Sequence, residues 1–332
     1  MFFKKIPVFF VFPVLFLTGC VTSVSFQVQR APAMNTAGIR RIAIMPFETS
    51  SNTSLQRDLA QFITATAITK IKATQHFTLV DHSEILRLQR NGENIYDHVD
   101  ALFTGQIVSM RTNDSSHIEE KKDPKTEKIT EVIIYDREVE LIFSYRLIRS
   151  RDGSIIDLVT REGKKEDHKE SRNSLESNLQ MLQTIVASSL AGLERDIAPY
   201  NTYVQRTLME EKSKDKDLKA KMKDVQSIVK GGNYSIALNR YNEIYGQYGN
   251  FAAVYNAAVM YEALKDIPVA VLLMEKVFGE TGNPTARDYL NRLNRELREQ
   301  STLAALYSDT GNPREKIITY AVDEVGKILP RG

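Results

Sequence analysis

The chain carries a single cysteine, Cys20. It therefore has no internal disulfide, no cysteine-based zinc centre and no second thiol to hold it together. Each folded body must be held by an apolar core, so the spacing of apolar residues is the guide to what can form. A net charge of +2 with 26% charged residues describes an ordinary globular surface. No global field favours nucleic acid as a partner.

The first twenty residues have a separate logic. Lys4 and Lys5 precede an apolar run at 6–17, broken by Pro7 and Pro13, which ends in Leu17-Thr18-Gly19-Cys20. Charge, short apolar run and small residues, in that order, make a signal peptide. The run is shorter than the roughly twenty residues a spanning helix needs. Leu-Thr-Gly-Cys resembles the lipobox of bacterial lipoproteins. That resemblance implies cleavage before Cys20, diacylglycerol on its thiol and an acylated new N-terminus; the alternative is an ordinary signal with a chance cysteine. More than one acyl chain matters, because each buried methylene contributes only ~0.8 kcal/mol and one chain anchors marginally. Residue 21 is Val, not Asp, which by the same resemblance implies the outer membrane, facing the periplasm. Cleavage would leave 332 − 19 = 313 residues. Two domains are expected, since single cores seldom grow past about 250 residues.

The predicted organisation is signal peptide 1–19, tether 20–37, α/β domain 38–200, charged linker 201–217, helical domain 218–300 and a C-terminal helix or tail 301–332. Residues 39–47 form a short apolar run ended at Pro46-Phe47, the pattern of a buried strand. Thr53 and Gln56 can make a capping box, opening a helix with Leu55, Leu59, Phe62, Ile63, Ala67 and Ile71 on one face. A strand at 77–80 follows, then a short helix capped by Asp81 or Ser83, then a strand at 101–110. Residues 111–131 read as an exposed loop or hairpin tip, mobile and aqueous, because their charges would each cost several kcal/mol in lipid. Val139, Leu141, Phe143, Tyr145 and Leu147 alternate with Glu138, Glu140, Ser144 and Arg146, so the first set faces a core. Asp152-Gly153 is a hairpin turn, and 155–160 returns as the partner strand. A long amphipathic helix is expected over 175–197. The fold class is thus an α/β layered sheet with helices, followed by all-α hairpins.

The second domain shows a repeat. Ala237 and Ala270 stand 270 − 237 = 33 residues apart, close to the ~34-residue period of tetratricopeptide arrays. Ala237, Ala258 and Ala270 supply small contacts where paired helices approach. Gly231-Gly232 breaks one helix from the next. The region resembles a tetratricopeptide array of two units, capped by a helix at 285–297. In such arrays the first helix of each pair lines a groove. The resemblance places Tyr255, Asn256, Val259, Glu262 and Ala263 there, with Asn256 able to hydrogen-bond a ligand backbone and Tyr255 as an aromatic anchor. The alternative is that Tyr255 packs against Leu238 or Tyr241 inside the stack. Residues 210–224 hold six lysines and five acids, charges that nearly cancel, and read as a solvated helix or linker.

The strand–helix order across 39–48, 77–81 and 100–107 looks like the curli-secretion (CsgG-like) lipoprotein family, a fold shared with lipoproteins that activate peptidoglycan synthases. It implies an envelope protein. The family's pore is not implied here: a spanning strand needs an apolar lipid face, and 117–131 carries Glu119, Glu120, Lys121, Lys122, Asp123, Lys125, Glu127 and Lys128. His76 and His82 flank a strand near Asp81 and Glu84, where a metal site can be drawn; histidines in solvent at strand ends are the simpler reading. No phosphate-binding loop, His-Glu-x-x-His motif or nucleophile elbow occurs, and no cofactor is implied. The expectation is a non-enzymatic envelope lipoprotein. Lipid on Cys20 would hold it on a membrane, and its helical repeats would hold a protein partner. The alternative is a ring-forming component of an oligomeric outer-membrane secretion complex, and so a homo-oligomer.

Overall fold

A computed structural model describes residues 22–308 and two short paired strands at Tyr320–Val322 and Ile328–Pro330. Cys20 and the predicted signal peptide lie outside the described residues.

The elements in chain order are β1 (Ser23–Arg30), β2 (Arg41–Ile44), α1 (Ser54–Ala73), β3 (Thr78–Val80), α2 (His82–Arg90), β4 (Ala101–Lys122), β5 (Ile129–Arg149), β6 (Ile155–Lys169), α3 (Asn178–Ser189), α4 (Leu193–Ile197) and β7 (Tyr200–Thr207). Helices α5 (Lys216–Lys230), α6 (Tyr234–Tyr248), α7 (Phe251–Ala263), α8 (Ile267–Thr281) and α9 (Pro284–Ser308) follow, with the terminal strands as β8 and β9. The described residues divide into two compact units. One takes 28–202 and 297–308; the other takes 22–27, 203–296 and the terminal strands.

In the α/β unit the sheet order is β3-β2-β4-β5-β6. β2 runs parallel to β3 and β4, the geometry of strand–helix–strand crossovers, while β4, β5 and β6 form antiparallel hairpins. Thr53 accepts from the Gln56 N–H and opens α1. The box is half made, because the Gln56 side chain accepts from Ser51 instead. Leu59, Ile63, Ala67 and Ile71 of α1 and Met181, Leu182, Ile185 and Val186 of α3 cover one face of the sheet. They pack on Phe103, Val139, Leu141, Phe143, Tyr145 and Leu147. Fully burying each such side chain contributes roughly 1.5–3 kcal/mol. On the opposite face α2 sends Ile85 and Leu88 against Ala43 and Val99. Phe47 lies across Gly105, where a Cβ would strike its ring and the Ser144 carbonyl. Tyr145 donates to Asp196 at 2.7 Å, and Arg161 reaches the same carboxylate, tying β5 and β6 to α4.

Four expectations are corrected. The tether is structured: β1 pairs with β7, alternating exposed and buried from Ser23, and Met34, Thr36 and Ile39 are buried. Residues 201–207 are strand, and Leu208 is buried, so the linker contracts to the residues before α5. The helix expected over 175–197 breaks at 190–192 into α3 and α4. Residues 111–131 take the hairpin alternative and not the loop, with a tip shorter than expected. β4 and β5 pair without interruption to Lys122 and Ile129, leaving only 123–128 to turn. Pairing with a neighbouring strand overrides the weak strand propensity of Asn113 and Asp114.

The helical unit stacks two hairpins, α5–α6 and α7–α8, and the first part of α9 follows. Gly249 and Gly282 end α6 and α8 in the left-handed conformation, which a Cβ would strain. Ala237, Ala257, Ala258 and Ala270 are fully buried where helices approach. No helix among the described residues is long and apolar enough to cross a membrane.

Candidate functional site

α7 is enclosed on nearly every side, and the residues expected to line an open groove lie inside the unit. Asn256 and Val259 are wholly buried, Glu262 is 2% exposed and Tyr255 is 9% exposed. Tyr255 stacks on Tyr289 of α9 with ring centroids 4.8 Å apart and lies 6.3 Å from Phe251. Arg292 reaches its hydroxyl at 3.5 Å. Its partner in the stack is thus Tyr289 of α9. Ala263 is half-buried.

The groove positions of α7 are filled by the chain itself, because the segment that follows β7 runs along them. The Met209 N–H donates to Asn256 Oδ1 at 2.7 Å, and Asn256 Nδ2 donates to the Met209 carbonyl at 2.9 Å. One amide side chain thereby holds both polar groups of one backbone residue, as a neighbouring strand would. Three residues earlier, Arg206 Nε donates to both oxygens of Glu262 at 2.9 Å. Nη2 donates to Glu262 and to Glu296, the latter at 3.2 Å, Nη1 donates to the Gln205 carbonyl, and Tyr289 Oη donates to Glu262 at 2.8 Å. Arg206 also lies over the Phe26 ring of β1. Burial works against the charge of Arg206, but the Glu262 hydrogen bond and the two carboxylate charges hold its pKa above the ordinary value. Burial, with Glu262 beside it, pushes the Tyr289 hydroxyl well up, so it serves as a donor. Glu211 completes the seam through Asn250.

The repeat resemblance placed Asn256 and Glu262 toward an outside ligand; both instead meet residues of the same chain. Arg206, Met209, Tyr289 and Glu296 were not legible from the repeat. The available signal was Glu262 itself, since a carboxylate in an alanine-rich helix requires a buried cation.

A second surface is the ribbon formed by the outer halves of β4, β5 and β6. From residue 111 to residue 122 every position of β4 is exposed. β2 covers the edge of β4 only at 101–103, with one more bridge from Glu48 to Gln106. Beyond it, residues 109–122 present an edge with no strand partner among the described residues, and β6 is the opposite edge of the sheet. Ile118 and Ile133 face each other across the strands at 65% and 52% exposed. On the same face Glu120 stands opposite Glu131. On the other face His117 and His168 each place Nδ1 2.7 Å from a different oxygen of Asp136. Hydrogen bonds from both imidazoles lower the Asp136 pKa, and the bond to Asp136 raises that of His168.

The histidines singled out in sequence go elsewhere. His76 lies 3.2 Å from an Arg40 nitrogen and edge-on to Phe77 and Tyr307. The Nδ1 of His82 is buried without a partner. No group of three or more histidine, cysteine or acidic residues that could hold a metal occurs among the described residues.

No family model and no curated protein matches the chain by sequence. Among solved structures, the PelC dodecamer from Paraburkholderia phytofirmans is 15% identical over 51% of this chain and 96% of that one, with a TM-score of 0.27. Lipoprotein GNA1162 from Neisseria meningitidis is 14% identical over 46% of this chain and 99% of that one, at 0.27. A minor lipoprotein from Acinetobacter baumannii is 9% identical over 48% and 92%, at 0.24. Likeness at this level carries no functional argument.

Proposed function

We propose that this is a non-enzymatic lipoprotein of the cell envelope, held by lipid on Cys20 at the outer membrane and facing the periplasm, that acts as a scaffold for another protein. The observation that carries the scaffold role is the ribbon. Among the described residues it has an edge of unpaired backbone over 109–122, with no proline and small polar side chains from Thr112 to Ser116. Natural proteins usually blunt such edges. Left open, an edge takes an added strand, with backbone hydrogen bonds giving affinity and the flanking side chains giving choice. The repeat groove, by contrast, is already occupied. Photo-crosslinking residues placed at Ser115 and Ser116 in intact cells should capture a discrete partner, and the same residue at Ile236 on α6 should not. Absence of adducts at the edge, with the chain correctly localised, removes this reading.

The runner-up, a subunit of an oligomeric secretion complex, is favoured by one observation. Among the described residues the ribbon has no further strand beside the outer half of β4 or beside β6, so copies can pair head to tail. Sedimentation in detergent separates the two: a ring runs at many multiples of 37.7 kDa.

A further inference from the structure

The charges of residues 210–224 cancel in sum and separate in space. At about 100° per residue, positions 216, 219, 223, 226 and 230 of α5 fall within an arc of roughly 80°. Four of them are Lys216, Lys219, Lys223 and Lys230, all exposed. The acids lie on the opposite flank: Asp217 is drawn to Lys221 and Tyr248, and Asp224 is about two turns further on. Asp215 is spent as the cap, accepting from the Leu218 N–H. Leu218, Met222, Val225 and Val229 face the unit's interior. The four lysines pair with no carboxylate among the described residues, a row of like charge with no counter-charge of its own.

The fifth position on that arc is Gln226, which accepts a hydrogen bond from Thr22 at 3.4 Å. Thr22 is buried, and its carbonyl accepts from the Leu208 N–H at 2.9 Å. Only Val21 separates Thr22 from Cys20. Two residues of chain span at most about 7 Å, so a lipid on Cys20 would enter a bilayer close beside Gln226. Lys223 and Lys230 stand three and four residues from Gln226, within about 6 Å along the helix.

We propose that the lysine face of α5 is a membrane-contact surface that binds anionic lipid headgroups around the lipid anchor. The inference rests on the lipoprotein reading of Cys20. The lipid supplies the insertion and leaves the protein free to turn about it; four ammonium groups against headgroup phosphates would fix which side of the helical unit meets the bilayer. Each lysine near an anionic surface shifts partition by about fivefold.

The full chain, extracted from membranes, is first weighed intact to establish lipid on Cys20, then reconstituted into phosphatidylcholine vesicles with or without phosphatidylglycerol. Lysine acetylation is read residue by residue. Lys216, Lys219, Lys223 and Lys230 should react about fivefold more slowly or less when phosphatidylglycerol is present, and high salt should abolish the protection. Lys125 and Lys128 in the β4–β5 turn should react equally in both. Equal labelling of the four lysines with and without phosphatidylglycerol, in a lipidated chain that floats with the vesicles, overturns the inference. A chain without lipid that fails to float overturns the anchor reading, and this inference with it.

Discussion

The Arg206 cluster sets a large, checkable energy. Arg206 is 7% exposed and Glu262 2% exposed, and Glu296 and Tyr289 complete the arrangement. Glu262→Ala removes two of the guanidinium's hydrogen-bond acceptors and the acceptor of the Tyr289 hydroxyl together. It leaves Arg206 buried with Glu296 at 3.2 Å and the Gln205 carbonyl. Breaking one side of a buried pair costs about 3–5 kcal/mol, far more than a surface pair contributes. For a body of about a hundred residues each kcal/mol moves the midpoint by roughly 4 °C, so a loss of ~12–20 °C is expected for the helical unit's transition. Arg206→Met with Glu262→Met, Glu296→Met and Tyr289→Phe removes all three charges and the hydroxyl that would lose its acceptor, and should recover most of that loss, since apolar replacement of a whole buried charge cluster is close to neutral. Calorimetry of the full chain, following the transition assigned to this unit, is the assay. A loss under about 1 kcal/mol for Glu262→Ala would mean that water reaches the site and that residues 206–211 do not fill the groove.

Cys20→Ala should abolish fatty-acid labelling and leave an uncleaved or poorly anchored precursor; equal labelling of both forms refutes the lipobox reading. Gly105→Ala should cost about 1–3 kcal/mol by overpacking, because the added carbon meets Phe47 and a backbone carbonyl; an unchanged chemical-denaturation midpoint would show that Phe47 swings aside. His76 has its pKa lowered by burial and by Arg40, so below about pH 6.5 the unfolded chain takes its proton first. The contact with Arg40 and Tyr307 is therefore fully stabilising above that pH and loses stability as pH falls. Melting the α/β unit at pH 7.5 and pH 5.5 should show the loss in wild type and less of it in His76→Asn; identical slopes in the two refute it.

What was legible in the sequence was whatever a short-range period records. The alternation from Val139 to Leu147, the α1 stripe and the alanines at a 33-residue interval each name a face, and each face is buried. What was not legible depended on partners distant in the chain. Residues 111–122 are polar and low in strand propensity, and only the register against β5 makes them strand. Residues 23–30 do alternate, with Val24, Phe26 and Val28 set between Ser23, Ser25, Gln27 and Gln29, so the strand was legible; what was not is its partner, since β7 lies 170 or more positions away. The lysines and acids of residues 210–224 were counted correctly, but a count discards angle. The separation of the two emerges only once the helix phase is fixed by Leu218, Met222, Val225 and Val229.

Asn256 holds a backbone segment, and that segment belongs to its own chain. The expectation that it would hold a ligand backbone describes its two bonds to Met209; the ligand is the chain's own. That changes what an outside partner must overcome. A segment tethered this closely acts at an effective concentration on the order of millimolar. A free copy of residues 203–211 making the same contacts with an intrinsic affinity of about 1 μM would thus face a competitor a thousandfold in excess, and its apparent affinity would fall to about millimolar. A synthetic peptide of that sequence at micromolar concentration should leave the full chain's spectrum and melting unchanged. Micromolar binding would show that the cis segment spends much of its time off α7, and the groove would return as the partner site in place of the β4 edge.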